Sequence, residues 1–201
     1  MVRVAIIKYG VGNILSVKSA LHELGVETRI IVGINEIEDA GFDAIILPGV
    51  GSFGRAMKFL SSWGITGERL KDSGIPTLGI CLGMQLYFEE SDEAPGIRGL
   101  GIFRGKVDRL PARKLPRIGW GVVEADHSEL LHGIEKPIFY FVHTYAFLGD
   151  RDFVKARAKY EGFSYAAVVE AWPFYGTQFH PERSGVQGRM VLKNFLGLVK
   201  R

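Results

Sequence analysis

The sequence contains a single cysteine, Cys81, among its 201 residues, which excludes an internal disulfide and leaves that thiol for other chemistry. It also lacks a C-x-x-C pair, a His-Glu-x-x-His run and any cluster of Asp, Glu and His at ligand spacing. No metal is therefore expected. A Walker-type phosphate loop is missing, and Lys8-Tyr9-Gly10-Val11-Gly12-Asn13 only begins like a dinucleotide fingerprint, because Leu15 stands where the third glycine belongs. No cofactor is expected. No apolar run approaches the roughly 20 residues that span a bilayer, and Met1 to Ile7 is too short for a charged and then apolar leader. These absences lead to the expectation of a cytoplasmic protein with no membrane contact.

No sign of charge dominates. The 25 Lys and Arg against 22 Asp and Glu give a net +3, too small an excess to argue for nucleic acid. The densest basic stretch holds Arg104, Lys106, Arg109, Arg113, Lys114 and Arg117 against Asp108 and reads as a solvated rim, with docking onto an acidic partner surface as the alternative. Repeats, low-complexity tracts and Pro, Gly or Ser-rich linkers are absent too, so residues 1–201 are expected to form one domain.

What is present is a regular alternation. The apolar run Val2 to Ile7 leads through a glycine loop into a helical pattern from Ile14 to Leu24, closed by Gly25. Strands are predicted at Thr28 to Val32 and Ala44 to Leu47, then Pro48-Gly49 and a helix around Arg55 to Leu60. A buried strand from Thr77 to Cys81 runs without a linker into Leu82 to Glu90, predicted as a buried helix. Such continuous apolar strands alternating with helices imply an α/β fold, a mostly parallel twisted sheet with helices on both faces. After Pro95 come short strand-like pieces, Gly101 to Leu110, Gly119 to Val123, Ile138 to Val142, Val154 to Tyr160 and Tyr165 to Glu170, which predict an antiparallel extension of the same sheet. A last helix is predicted over Gly188 to Val199.

Ligands of parallel sheets sit at the carboxyl ends of the strands, where Gly10, Gly49 and Cys81 fall. Gly79-Ile80-Cys81-Leu82-Gly83 has the form of a nucleophile elbow, with glycines letting the strand turn sharply and present a thiol at a helix start. A space-filling buried cysteine is the bland alternative. Among His22, His127, His132, His143 and His180, only His180 has a context that suits a base. It ends the strand-like run Tyr175 to Phe179, and Pro181 turns the chain so that Glu182 can hold the imidazole. The loop Pro48-Gly49-Val50-Gly51-Ser52-Phe53-Gly54 can aim a backbone N–H at the same place, so Val50 and Leu82 are candidate oxyanion donors.

With Cys81, His180 and Glu182 in these settings, the chain resembles the class I glutamine amidotransferases over essentially its whole length. Gly79-Ile80-Cys81-Leu82-Gly83-Met84-Gln85 and Gln178-Phe179-His180-Pro181-Glu182 carry the resemblance. Tyr9-Gly10-Val11-Gly12-Asn13, Pro48-Gly49-Val50-Gly51, Phe88-Glu89-Glu90-Ser91, Tyr140-Phe141-Val142-His143-Thr144-Tyr145 and Met84 bring it nearest to the glutaminase subunits of histidine biosynthesis. The resemblance implies a flavodoxin-like fold and hydrolysis of glutamine by a Cys81, His180, Glu182 triad. It also implies substrate contacts from Gly51, Gln85, Glu93 and the backbone at Thr144 and Tyr145, with His143 shaping the pocket. The implied partner is a cyclase subunit with a (β/α)₈ barrel fold in a heterodimer, faced by Asn13, Trp120 and Arg183. Gly121 stands where a polar residue is expected beside that interface. The rival readings are a glutaminase subunit of another synthase, such as the anthranilate enzyme, and a DJ-1-like thiol stress protein.

Overall fold

A computed structural model describes residues 2–9, 14–49, 51–125 and 127–199. Val50 and Asn13, expected at the oxyanion site and the interface, lie outside them, as do Gly10, Val11 and Gly12. The first half runs β1 (Arg3–Ile7), α1 (Ile14–Glu23), β2 (Glu27–Ile31), α2 (Ile34–Ala40), β3 (Ala44–Leu47), α3 (Phe53–Ser62), α4 (Gly67–Ser73), β4 (Thr77–Ile80) and α5 (Leu82–Gln85). The second half runs β5 (Phe88–Ser91), β6 (Phe103–Arg109), β7 (Arg117–Ala125), β8 (Ile138–His143), β9 (Tyr145–Ala146), β10 (Val154–Tyr160), β11 (Phe163–Ala171), β12 (Phe174–Thr177), a 3₁₀ turn Pro181–Arg183 and α6 (Gly185–Leu198).

Nine strands form one sheet in the order β2-β1-β3-β4-β12-β11-β10-β7-β8. From β2 to β12 the neighbours pair parallel, and from β12 to β8 they pair antiparallel. The expected parallel sheet with an antiparallel extension is therefore present. The central parallel strands β1, β3 and β4 are almost wholly apolar because both faces are covered: Val4 and Ile6 pack into one core, Ala5 and Ile7 into the other.

Two expectations need correction. The helix expected over Leu82 to Glu90 is a single turn, and Phe88–Ser91 is a strand. Residues 82 to 88 are buried on every side, so their sequence carries no period to separate helix from strand. The piece Gly101 to Leu110 does not extend the main sheet either, since β6 lies between β5 and β9 in a separate three-stranded sheet. There Phe88, Phe103, Phe147 and Phe153 pack together, stacked at 4.5 Å in the Phe88–Phe147 and Phe103–Phe153 pairs, and extend the core that holds Ala5 and Ile7.

The basic stretch is not uniformly a solvated rim. Lys106 pairs with Asp92 at 2.5 Å on the surface, but Arg117 is buried. Its guanidinium lies 4.4 Å over the Phe141 ring and donates to the Gly119 and Trp120 carbonyls at 2.6 and 3.2 Å. Any side chain at position 121 would overlap the Arg117 guanidinium. Gly121 is thus the residue that admits the arginine, which is a physical reason for a glycine where a polar residue was expected.

Candidate active site

β4 and β12 are parallel neighbours, with Gly79 opposite Gly176 and Ile80 opposite Thr177. Their carboxyl ends therefore deliver Cys81 and the segment 178–182 to one place, although about a hundred residues separate them in sequence. The Cys81 N–H donates to the Thr177 carbonyl at 2.6 Å and ties the elbow to β12. Cys81 itself adopts φ 49°, ψ −104°, a conformation that L residues rarely hold, as expected of a sharp strand-to-helix turn.

The elbow glycines are required by space. A Cβ at Gly79 would stand 2.6 Å from the Gly83 carbonyl group and the Met84 nitrogen, and one at Gly83 would overlap the Leu47 carbonyl oxygen. Gly49 is constrained by the site residues themselves. A Cβ there would lie 2.6 Å from the Ile80 oxygen, 2.8 Å from Cys81 Cβ and 3.0 Å from His180 Cε1. The loop after β3 is thus pressed against both the thiol residue and the imidazole. Gly51 has φ 106°, in the region that favours glycine, and a Cβ there would make only ordinary contact with the Leu82 side chain, at 3.9 Å.

His180 Nδ1 and Glu182 Oε1 are 2.8 Å apart, and both side chains are almost fully buried. Because the carboxylate accepts, Nδ1 carries a proton and Nε2 is the ring nitrogen left to act. Nε2 has no hydrogen-bond partner among the described residues. Burial by itself lowers the His180 pKa, but the Cys81 thiol and then Glu182 favour the imidazolium, and the net shift is upward, to about 10. The upward shift places the imidazole within electrostatic reach of the Cys81 sulfur.

His143 is prepared in the opposite way. Its Nδ1 donates to the Tyr145 carbonyl at 3.1 Å, and burial, the largest influence, lowers its pKa to about 3. It is neutral at ordinary pH and has no carboxylate partner to orient it as a base. Its place beside Tyr165 and Phe141 suits the expected role of a pocket wall.

Of the expected substrate contacts, Glu93 accepts from the Phe53 N–H at 2.9 Å and so stands at the start of α3, next to the Gly49–Gly51 loop. The Thr144 carbonyl accepts from Leu110 N–H, and the Tyr145 carbonyl from Gln85 and His143. Both carbonyls are engaged within the protein. The Gln85 amide donates to the Tyr145 carbonyl at 2.7 Å and to Gln178 Oε1 at 3.1 Å, so a ligand contact from this side chain falls to its Oε1.

Sequence reasoning assigned no role to Gln178. It is fully buried, and its Nε2 lies 3.5 Å from Cys81 Sγ. Its membership of the quoted segment 178–182 was the available signal.

Trp120 and Arg183, expected at an interface, meet around Tyr140. The Trp120 and Tyr140 rings pack edge to face at 6.0 Å, and the Arg183 guanidinium sits 5.0 Å over Tyr140. Along β7, Ile118, Trp120 and Val122 alternate outward and are each close to 60% exposed, beside the edge strand β8. The same strand is wired to the site: the Tyr140 carbonyl accepts from His180 N–H at 2.9 Å, and the Val142 carbonyl lies 3.7 Å from Cys81 Sγ.

Among the described residues no group of His, Cys, Asp and Glu is placed to hold a metal ion, and no helix is long and apolar enough to cross a membrane.

Comparison with known proteins agrees with this geometry. Residues 5–198 match the family model described as glutamine amidotransferase class-I. The chain is 41% identical over 199 residues to the imidazole glycerol phosphate synthase subunit HisH of Methanothermobacter thermautotrophicus, covering 98% of this chain and 99% of that one. It is 42% identical to the subunit of the same name from Geobacillus kaustophilus, covering 97% and 96%. Among solved structures, one described as a glutamine amidotransferase superposes with a TM-score of 0.78 at 21% identity, over 98% of this chain and 99% of that one. The PurLQS structure from Thermotoga maritima superposes with a TM-score of 0.76 at 19% identity, over 98% and 99%. At that identity the two structures speak for the fold alone.

Proposed function

This chain belongs to the class I glutamine amidotransferases, and from that premise we propose that Cys81, His180 and Glu182 are its catalytic triad. It is a glutamine amidotransferase subunit of imidazole glycerol phosphate synthase, as its full-length likeness to the HisH subunits supports. That likeness weighs against both rival readings, the anthranilate-type subunit and the thiol stress protein. The observation that carries the triad is Gly49, wedged between Cys81 and His180 while Glu182 holds the far side of the imidazole.

In this mechanism the Cys81 thiolate attacks the carboxamide carbon of glutamine, and the C=O π electrons move onto oxygen. The Leu82 and Val50 N–H groups receive that oxyanion. His180, as imidazolium, donates its Nε2 proton to the leaving nitrogen, ammonia departs and a thioester remains. Neutral His180 then takes a proton from water, hydroxide adds to the thioester, and glutamate and the thiolate are released with the imidazolium restored. Glu182 orients the ring and stabilises its charge without itself carrying the proton. Glu93 suits the α-ammonium group of glutamine, while Gly51, Gln85 and the backbone at Thr144 and Tyr145 line its path. The whole chain serves as one domain.

Ammonia is a nucleophile only when unprotonated, so it passes directly to a cyclase subunit of (β/α)₈ barrel fold. There its nitrogen enters imidazole glycerol phosphate, with an aminoimidazole carboxamide ribotide as the other product. The exposed apolar row Ile118, Trp120 and Val122, with Tyr140 and Arg183, supports docking of that partner in a heterodimer, since a patch of this kind at a sheet edge calls for cover.

The test is glutamate release with and without the cyclase and its ribotide ligand. Cys81→Ala is expected to abolish release in both conditions, a loss of at least about 10⁴-fold. Turnover that survives this change rules the mechanism out. Trp120→Ala should leave the fold intact and weaken cyclase binding by about 2 kcal/mol, the scale of a central aromatic contact, as read by titration calorimetry.

A further inference from the structure

Gln178 follows β12, where the Thr177 hydroxyl donates to the Phe179 carbonyl at 2.9 Å and the chain bends. Its side chain is fully buried beside the thiol. Which end of its amide faces sulfur follows from one fixed point, the Tyr145 carbonyl, which can only accept. Gln85 must therefore present its NH₂ to that carbonyl, 2.7 Å away. The second hydrogen of the same NH₂ points to Gln178, 3.1 Å away, which must answer with its oxygen. The NH₂ of Gln178 is then turned to Cys81 Sγ at 3.5 Å, an ordinary N–H to sulfur distance. The reverse orientation of Gln178 would set its NH₂ against the Gln85 NH₂ and its oxygen against sulfur. His143 Nδ1 donates to the same carbonyl at 3.1 Å and helps hold the fixed point still.

We propose that Gln178 is a built-in donor to the thiolate of Cys81, aimed by Gln85 and the Tyr145 carbonyl, and that it holds the sulfur charged and in place for attack. The role rests on the reading of Cys81 as nucleophile. His180 serves the sulfur as proton partner. Gln178 differs in that it has no proton to give up at ordinary pH, so its hydrogen bond persists through attack, thioester and release. Buried amides of this kind supply a fixed dipole at no reorganisation cost during the reaction. Because the sulfur becomes neutral in the thioester, the bond is strongest to the free thiolate. It therefore favours expulsion of thiolate in the second step as well as its presence before the first.

The experiment uses the full chain with its cyclase and compares Gln178→Glu and Gln178→Met with the unmutated protein. Glu keeps the shape and replaces the donor with an acceptor of negative charge, while Met removes the donor. Iodoacetamide, which does not need the glutamine pocket, reports on the sulfur. Both variants should be alkylated about tenfold more slowly near neutral pH, the scale of one hydrogen bond to an ionised group. The rate profile should also move to higher pH. The kcat for glutamine should fall by a similar factor while KM stays within about threefold. Wild-type alkylation and pH profile in two variants that melt like the unmutated protein would overturn the proposal. Cys81→Ala separates the two levels: if it still hydrolyses glutamine, the nucleophile reading itself is wrong, whereas an inactive Cys81→Ala beside wild-type-like Gln178 variants sinks only the role of Gln178. If both variants fail to fold, the unmutated protein answers through its isotope-labelled side-chain amide. The Gln178 NH₂ signal should move with the same midpoint as the thiolate ultraviolet absorbance, and a signal indifferent to that titration refutes the contact.

Discussion

β12 and β8 each lead to a buried histidine, His180 and His143, yet the two imidazoles are set up for opposite protonation states. His180 has a carboxylate on Nδ1 and a thiol facing Nε2, and its pKa is raised to about 10. His143 has a backbone carbonyl on Nδ1 and aromatic rings around it, and burial lowers its pKa to about 3. Burial is nearly equal, so it cannot be what selects the base. The charged neighbours decide the protonation state: the Cys81 sulfur first and the Glu182 carboxylate second favour a charged ring at His180, whereas at His143 the one hydrogen bond to the Tyr145 carbonyl does not offset burial.

The most direct way to break this contrast is to remove each ring in turn. His180→Asn should lower glutaminase kcat by about 10³-fold or more, while His143→Asn should cost less than about tenfold. Steady-state assays of the cyclase-bound enzyme decide it, and equal losses would abolish the distinction.

A smaller effect sharpens the role of Glu182. Glu182→Gln keeps the size of the side chain and removes its charge, and kcat should drop by about 10² to 10⁴-fold, since an orienting carboxylate is lost but the ring remains. The sign of the pH effect follows from the raised pKa. Stabilisation from the charged His180 is complete below its unfolded value near 6.5 and is lost as pH rises toward about 10. In Glu182→Gln the folded value falls, so that loss should be smaller and complete at lower pH, which melting curves taken across the alkaline range will register.

The smallest effect concerns His143 alone. Its folded pKa lies below the unfolded value near 6.5, so its neutral form favours folding above 6.5, and that contribution is lost as pH falls toward about 3. His143→Gln, which cannot titrate, should flatten the acid side of the stability profile and leave the alkaline side alone. Thermal melts between those limits measure it, and an unchanged acid limb would count against the neutral buried ring.

Much of this arrangement was legible in the chain. The glycines around Cys81, the Pro181 turn and the strand-helix alternation are local signals, and the structure realises each of them: Gly79 and Gly83 are demanded by contacts under 3 Å. Less legible were residues whose meaning depends on neighbours distant in sequence. Arg117 sits in a basic stretch and reads as surface, but Phe141, Tyr160 and the space over Gly121 bury it. Residues 82–88 misled for a related reason, since a segment covered on all sides shows no period.

The sequence by itself determined that one thiol would stand on a sharp glycine-flanked turn and that a histidine and a glutamate two residues apart would share a strand end. Those are properties of adjacent residues, fixed by backbone sterics and spacing. Only the tertiary structure decided that these two strand ends are neighbours, that His180 and His143 are set for opposite protonation states, and that Gln178 points its amide nitrogen at the sulfur. The physical reason is that protonation state and amide orientation are set by partners across the sheet. Those partners meet only when β4, β12 and β8 have taken their places in it.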